Sequence, residues 1–279
     1  AKAFMYAATI ARRCRRCARM RCMKRRKVMD ENRLQELLMR GSQARILVVG
    51  DYFLDRYLVI DPVRAERSIE TGLTAHQIVD VQATPGAAGT IVANLRGLGV
   101  SVMALGVIGD DGDGYDLRRA LRSIDVDDRA MVVAADRRTP TYVKPIIRDA
   151  STVPTELERL DIRTRTPLSE HTIDALIDRL RALAVQSHAI IIADQMPEPE
   201  CGAITARVRE AIAQLAAHYP RAWFLADSRE RIGLFQGIIL KPNARECVRA
   251  VYSDDSHDPP LALVAQAAEQ LRQHTGKPV

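Results

Sequence analysis

Long hydrophobic runs are missing from this sequence. Apolar stretches such as Ala189–Ala193 have the length of one strand, whereas a membrane-spanning helix needs about 20 apolar residues. Aromatic residues make up only 4% of the chain, and tryptophan occurs once. We therefore predict no membrane partner. The length of 279 residues suits one large α/β domain, or one domain with a small appendage.

Cysteine is too sparse and too unevenly placed for a disulfide framework. There are five cysteines, an odd number; three fall within the first 22 residues, and Cys201 and Cys247 are isolated. Small secreted domains that depend on disulfides carry a regular, even set. We therefore expect a reducing, cytoplasmic location.

Acidic residues are nearly absent from the beginning of the chain. Residues 1–45 contain 14 Lys and Arg against 3 Asp and Glu, and the remaining residues contain 27 against 32. The net charge of +6 thus comes from the first part, and the rest of the chain is mildly acidic. This distribution argues against a nucleic-acid-binding surface on the part of the chain after residue 45, and we predict no nucleic-acid partner.

The basic N-terminal segment allows three functional interpretations. It could bind nucleic acid or a membrane surface, direct the chain to an organelle, or bind a metal through Cys14, Cys17 and Cys22. The metal hypothesis is disfavoured because no fourth ligand is near and eight Arg or Lys side chains would repel a cation. We interpret residues 1–28 as a disordered leader and residues 29–279 as the folded part.

The stretch Ala44–Asp55 (ARILVVGDYFLD) predicts the first buried strand. Its aliphatic run, Ile46–Val49, is too short for a helix and too apolar for an exposed edge. Asp51 and Asp55 follow at the carboxyl end, where open parallel sheets bind ligands. From these residues alone, a ligand site and an ordinary turn with a solvated Asp55 have about equal weight.

Strands and helices alternate along the rest of the chain. Further strands are predicted at 101–108, 132–134, 189–193, 222–226 and 237–240, and helices at 30–40, 88–98, 115–123, 172–183, 204–215 and 261–272. This alternation is typical of a doubly wound α/β sheet with right-handed crossovers. Two β excursions, near 57–82 and 141–163, interrupt the alternation, and we predict that they form a lid.

A glycine-rich turn precedes the helix predicted at 88–98. Gly86 and Gly89 bracket Ala87 and Ala88, and small residues at a helix start let a ligand approach backbone N–H groups. The turn matches neither the Walker pattern nor the dinucleotide-binding fingerprint. Taken alone, it is a weak indication of a binding site.

Seven motifs, in order, resemble those of ribokinase/PfkB-type carbohydrate kinases, most closely the heptose-phosphate-kinase-like members. They are VVGDYFLDRY, PGAAGTIVANLRGLG, GVIGDDGDGYDL, ERLDI, ADQM, ADSR and KPNARE, and the resemblance spans roughly Arg45–Val279. It implies a ribokinase-like, doubly wound αβα fold whose mainly parallel sheet carries a small β lid. It also implies ATP- and Mg²⁺-dependent phosphorylation of a hydroxyl on a sugar or sugar phosphate, and a homodimer formed through the lid.

The resemblance also implies roles for individual residues. Asp55 would hold sugar hydroxyls beside the turn at Gly86, and the flap 141–163 would close over the substrate. Asn243 and Glu246 match an Asn-x-x-Glu motif that would order the waters of a hydrated Mg²⁺. The predicted substrate-binding set is Asp51, Asp55, Gly86, Ala87, Thr90, Lys144, Arg159, Asp161 and Asp194, and the nucleotide set is Asp227, Lys241, Asn243 and Glu246.

Several positions depart from the family pattern. The family usually has a second glycine where Ala87 stands and an asparagine where Thr90 stands, and the Tyr and Lys usual near Asp194 are missing. The Gly-Ala-Gly-Asp motif, with the catalytic Asp and the phosphate-binding N–H groups, does not occur in the sequence and would lie beyond Val279. We therefore expect no catalytic residue in these 279 residues, and no turnover by them.

The residues singled out also have structural interpretations. Asp194 and Asp227 could cap turns or helices, Lys144 and Arg159 could be solvated, and Asn243 could form a turn. For the whole protein, one alternative is a kinase-like fold that senses a sugar without phosphorylating it. The other is a nucleic-acid-associated protein that acts through the basic leader.

Overall fold

A computed structural model of the protein describes residues 30–148 and 153–279. The predicted leader, with its three cysteines, lies outside the described residues. The compact unit of residues 39–279 contains every strand named below, and only the end of the other unit, residues 1–38, is described. None of the described helices combines the length and hydrophobicity that a membrane crossing requires.

Strands and helices follow one another as the alternation predicts, with lid strands inserted. The helices are α1 (Glu31–Ser42), α2 (Ala88–Gly97), α3 (Gly112–Ser123), α4 (Glu170–Ala184), α5 (Ala206–His218), α6 (Ala244–Tyr252) and α7 (Leu261–Thr275). The strands are β1 (Arg45–Gly50), β2 (Tyr52–Arg67), β3 (Thr74–Ala87), β4 (Ser101–Leu105), β5 (Val107–Gly109), β6 (Val132–Ala134), β7 (Thr141–Ile147), β8 (Thr155–Glu156), β9 (Leu160–Ile162), β10 (Ala189–Asp194), β11 (Trp223–Ser228) and β12 (Ile239–Leu240).

Five parallel strands form the central sheet, in the order β12–β11–β10–β1–β4. Apolar cores cover both faces. Leu47 and Val49 of β1 pack in the core that contains α4 and α5 residues, whereas Val48 packs with residues of α2 and α3. Successive side chains of a strand point to opposite faces, so a strand buried on both sides reads as a continuous aliphatic run. The predicted doubly wound architecture is confirmed.

The lid is a second sheet, in the order β3–β2–β7–β8, with β9 also paired to β7. β2 runs antiparallel to β3 and parallel to β7. The β excursion predicted near 57–82 begins earlier in the structure, because β2 and β3 pair almost from Tyr52 to the hairpin tip. Pairing between the two strands sustains them through polar stretches that carry no alternating apolar pattern.

The predicted strand at 101–108 is two strands in the structure. β4 belongs to the central sheet, and β5 pairs with β6 instead. Gly106 separates them at a crowded point, where an added Cβ would lie 2.6 Å from the carbonyl oxygen of Gly50. The backbone therefore passes too close to the end of β1 for any side chain at this position.

Candidate functional site

The carboxyl ends of β1, β10 and β11 meet at one edge of the central sheet. Asp194 at the end of β10 is paired with Ser228 of β11, and Asp51 follows directly on β1. Asp227 precedes Ser228 at the same edge. Three predicted site carboxylates thus lie where open parallel sheets bind ligands, but their side chains are used differently.

The carboxylate of Asp51 is turned into the protein. Its Oδ2 accepts hydrogen bonds from the N–H groups of Gln195 and Met196, and its Oδ1 accepts one from Ala203, each at 2.7 Å. Burial, and then the charge of Asp194, raise the pKa of Asp51 to about 6, against the lowering effect of those three donors. Both oxygens thus hold the loop after β10, and the sugar contact predicted for Asp51 stays a prediction.

Asp194 forms a buried ion pair with Arg231. The Nη2 atom of Arg231 lies 2.6 Å from Oδ1, and Ser228 Oγ donates to Oδ2 at 2.6 Å. Burial lowers the pKa of Arg231, but the hydrogen bond and charge of Asp194 outweigh it and raise that pKa. Asp194 is only 1% exposed. Its charge is therefore neutralised within the fold, and the sugar contact predicted for Asp194 stays a prediction.

One face of the lid carries a row of polar side chains. Asp55 on β2 lies opposite Tyr142 on β7, which in turn lies opposite Asp161 on β9. Residues directly opposite each other on paired strands project from the same face. The row therefore has a carboxylate at each end and a tyrosine between them.

The other face of the lid packs on the body of the protein. Leu54 is fully buried in the core that includes α2 and α3 residues. Arg56 forms ion pairs with Asp113 and Asp116 of α3, at 2.6 and 2.8 Å. Because Asp55 lies between Leu54 and Arg56, its side chain points away from α3, on the face of the row.

Lys144 pairs with Asp55 on the same face. Its Nζ lies 3.0 Å from Asp55 Oδ1 and 4.9 Å from the centre of the Tyr57 ring. Burial lowers the pKa of Lys144, but the hydrogen bond and charge of Asp55 outweigh it, and the pKa is raised. Two predicted substrate residues are thus brought together as a half-buried ion pair.

The glycine-rich turn lies against Asp55. A Cβ on Gly86 would lie 2.8 Å from Asp55 Oδ2, so only glycine allows this approach. Ala87 has φ 52° and ψ −116°, in a region that favours glycine. Thr90 is exposed in the first turn of α2. The turn and the carboxylate, predicted together, are in contact.

Arg159 stacks on the tyrosine of the row. Its guanidinium pairs with both oxygens of Asp161, at 2.6 and 2.9 Å, and its Cζ lies 3.9 Å from the centre of the Tyr142 ring. Phe53 packs edge-on against the same ring at 4.9 Å. Burial raises the pKa of Tyr142. Arg159 and Asp161 therefore lie on the face of the row, and the substrate contact predicted for them stays a prediction.

The structure adds two arginines that the sequence analysis missed. Burial raises the pKa of Tyr142, and the charges of Arg163, Arg159 and Arg229 act in the opposite direction. Arg163 follows directly on the ERLDI motif, and Arg229 is the last residue of ADSR. The motifs were therefore the signal that could have identified them.

The predicted nucleotide residues lie near β11, β12 and the start of α6. Lys241 Nζ is 2.8 Å from Asp227 Oδ2. Asn243 and Glu246 form a capping box, in which Asn243 Oδ1 accepts from the Glu246 N–H and Glu246 Oε2 accepts from the Asn243 N–H, each at 2.8 Å. The Asn-x-x-Glu spacing thus also begins a helix.

A magnesium ion would find few ligands here. Within residues 30–148 and 153–279, no group of three His, Cys, Asp or Glu side chains is arranged to hold a metal. The second carboxylate oxygen of Glu246 is not used by the capping box. This oxygen could accept a hydrogen bond from a metal-bound water, as predicted, since Mg²⁺ usually keeps several waters.

Comparison with curated proteins shows relatives along most of the chain. The bifunctional protein HldE of Hyphomonas neptunium is 31% identical over 241 residues, which cover 85% of this chain and 47% of that protein. HldE of Citrifermentans bemidjiense is 28% identical over 220 residues, covering 78% and 43%. The chain spans about half the length of the curated relatives it matches.

Solved structures show the same fold. Phosphofructokinase-2 from Escherichia coli, in complex with fructose-6-phosphate, has a TM-score of 0.57 at 18% identity, covering 84% of this chain and 72% of that one. A carbohydrate kinase from Agrobacterium tumefaciens has a TM-score of 0.51 at 21% identity, covering 81% and 67%. The predicted ribokinase-like fold is confirmed. The profile described as pfkB family carbohydrate kinase matches residues 46–279, and the chain therefore belongs to the pfkB family of carbohydrate kinases.

Proposed function

We propose that the complete protein is an ATP-dependent kinase that phosphorylates a hydroxyl group of a sugar phosphate. The row across the lid carries this proposal, with Asp55 at one end and Arg159 stacked on Tyr142 towards the other. A carboxylate accepts hydrogen bonds from sugar hydroxyls, and guanidinium groups bind phosphate oxygens. The two ends of the row suit the two ends of a sugar phosphate.

Asp55 is the residue proposed to hold the sugar. Lys144 occupies its Oδ1, and Oδ2 faces the turn at Gly86. The ion pair fixes the carboxylate in one orientation, which lowers the entropy cost of binding a hydroxyl. Asp51 and Asp194 are assigned a positioning role, since both are engaged inside the fold.

ATP and Mg²⁺ are proposed to bind at the ends of β11 and β12. The residues proposed there are Asp227, Lys241, Asn243 and Glu246, of which Glu246 would contact metal-bound water. Phosphoryl transfer also requires a base for the acceptor hydroxyl and donors for the transferred group. The Gly-Ala-Gly-Asp motif that supplies both in the family does not occur in residues 1–279. Substrate binding is therefore the activity to measure first.

Titration calorimetry with fructose 6-phosphate, ribose 5-phosphate and the corresponding free sugars tests the sugar site. We expect Asp55→Asn to weaken binding of the preferred sugar by roughly 10- to 100-fold, because a hydrogen bond to a charged group contributes about 1.5–3 kcal/mol. Asp61→Asn is the control, since Asp61 lies on the same strand and pairs with Arg64 at the surface. Equal affinity of Asp55→Asn and the unchanged protein would reject the site.

A sugar-binding protein without kinase activity is the second candidate. The capping box favours it, since Asn243 and Glu246 already have a structural role at the start of α6. The two candidates differ in nucleotide binding. Stabilisation against heat by Mg²⁺ with ATP, lost in Glu246→Ala, would support the kinase. The absence of such stabilisation would support the sensor in a chain that carries the Gly-Ala-Gly-Asp motif.

We also propose a homodimer formed through the lid. The hairpin exposes large apolar side chains, among them Val63, Ile69 and Leu73, and contiguous apolar patches mark association sites. Light scattering should give twice the monomer mass, and Ile69→Glu should shift it towards the monomer. A monomer at all concentrations would contradict this.

The cytoplasm is the proposed location. Cys201 and Cys247 are both free and buried, as is usual for proteins of a reducing compartment. A kinase that uses ATP would find its co-substrate there.

A further inference from the structure

Arg163, the residue directly after β9 of the lid, is buried with few partners. Its side chain is only 16% exposed, and its Nε atom is buried with no hydrogen-bond partner among the described residues. Its Nη1 lies 3.5 Å from Glu198 Oε2, at the outer limit of a hydrogen bond. A guanidinium group has five N–H donors, so its capacity is largely unused.

A comparison with Arg231 shows how unusual this is. Arg231 is similarly buried, at 12% exposure, but it bonds both oxygens of Asp194 and the carbonyl oxygens of Met196 and Pro197. Burying a charged donor without partners costs free energy. A buried donor without a partner therefore requires an explanation, such as an acceptor that arrives with a ligand.

The position of Arg163 indicates which ligand group this is. Arg163 lies two residues after Asp161, whose neighbour in the row, Tyr142, carries the Arg159 guanidinium 3.9 Å from its ring centre. Guanidinium groups attract oxyanions, and Arg matches the geometry of phosphate oxygens. We propose that Arg163 binds the phosphate group of the ligand; the proposal rests on the proposed function for the identity of that ligand.

Glu198 holds Arg163 in place until the phosphate arrives. Its carboxylate lies between two arginines, 3.5 Å from Arg163 and 3.1 Å from Arg165. Arg165 is 68% exposed and forms the shorter contact. When a phosphate binds Arg163, Glu198 loses that contact but keeps its ion pair with Arg165, so its carboxylate does not remain unpaired.

Inorganic phosphate is the probe for this proposal, because it does not depend on knowing the sugar. Titration calorimetry compares the unchanged protein with Arg163→Gln, Arg163→Lys and the control Arg181→Gln, since Arg181 is an exposed arginine of α4 that lies 3.9 Å from Asp178. We expect Arg163→Gln to weaken phosphate binding at least tenfold, Arg163→Lys to restore part of it, and Arg181→Gln to stay within about twofold, since charge-assisted hydrogen bonds are the strong ones. Thermal unfolding of the same variants is the second measurement.

The unfolding temperature separates binding from a structural role. A phosphate-binding Arg163 predicts that Arg163→Gln unfolds at the same or a higher temperature, because a poorly paired buried charge is removed. A lower unfolding temperature with unchanged phosphate affinity would overturn the proposal, as would the absence of phosphate binding by the unchanged protein. Phosphate binding that depends on Arg163, together with no effect of Asp55→Asn on any sugar, would reject the proposed function and leave this inference standing.

Discussion

Replacing Ala87 with glycine should stabilise the protein. Ala87 has φ 52° and ψ −116° at the start of α2, where a Cβ meets its own backbone and costs about 1–3 kcal/mol. Glycine adopts this conformation without that cost. Two effects oppose this relief of strain. Glycine has greater freedom in the unfolded chain, which costs about 0.5–1 kcal/mol, and the substitution removes one half-buried methyl group.

The free energy of unfolding of Ala87→Gly should therefore exceed that of the unchanged protein by about 1 kcal/mol. For a domain of this size that corresponds to a rise in unfolding temperature of about 2–4 °C. Differential scanning calorimetry and urea unfolding at the same pH would measure it. Both methods are needed, because agreement between them shows that the transition is two-state.

Ala88→Gly is the matched control. Ala88 is the next residue, is fully buried and is the first residue of α2. There glycine gains no relief from strain and loses a packed methyl group, so we expect a destabilisation of about 1–2 kcal/mol. Opposite signs for the two neighbouring substitutions would support the argument. A loss of stability in Ala87→Gly as large as in Ala88→Gly would refute it.

Three further predictions concern the buried carboxylates and the cap of α6. The pKa of Asp51 is raised to about 6, so the contribution of this group to stability is complete below about pH 4 and is lost as the pH rises through 6. Measured by urea unfolding relative to Asp51→Asn, the free energy of unfolding should therefore fall by roughly 2 kcal/mol between pH 4.5 and 7. A difference between the two proteins that does not change with pH would contradict this. Arg231→Gln should destabilise the protein by about 3–5 kcal/mol because Asp194 loses its ion pair, and the double variant with Asp194→Asn should recover part of that loss in the same measurement. Asn243→Ala should cost about 1 kcal/mol through loss of the helix cap, to be measured without nucleotide, and no change would mean that the cap contributes nothing.

The sequence identified the edge of the sheet that carries the candidate site, but not the direction of each side chain. The run Ile46–Val49 predicted β1, and Asp51 and Asp194 lie at strand ends as expected. Both carboxylates nevertheless point inward. Their partners are distant in the sequence: Arg231 is 37 residues from Asp194, and Ala203 is 152 residues from Asp51. No local pattern reports such a contact.

Some sequence patterns fit both a structural and a functional role, which explains another difference between the sequence-based predictions and the structure. The Asn-x-x-Glu spacing at Asn243 was interpreted as a metal motif, although the same spacing is a capping-box signal that predicts α6. Arg163 was missed because a charged residue after an exposed strand is usually solvated. In the structure it lies against Glu198, which is 35 residues further along the chain, and only the fold brings the two together.

Asp51 alone separates β1 of the central sheet from β2 of the lid sheet, so this residue is the fixed root from which the long lid hairpin extends. β1 ends at Gly50 and β2 begins at Tyr52, and the carboxylate of Asp51, between them, is bonded at three points. At about 3.3 Å per residue, the 16 residues of β2 reach roughly 50 Å from this root. A flexing of about five degrees then moves the hairpin tip by roughly 4 Å but moves Asp55, only four residues from Asp51, by roughly 1 Å. The residues proposed to bind the ligand therefore lie close to this root, where bending of the lid displaces them least.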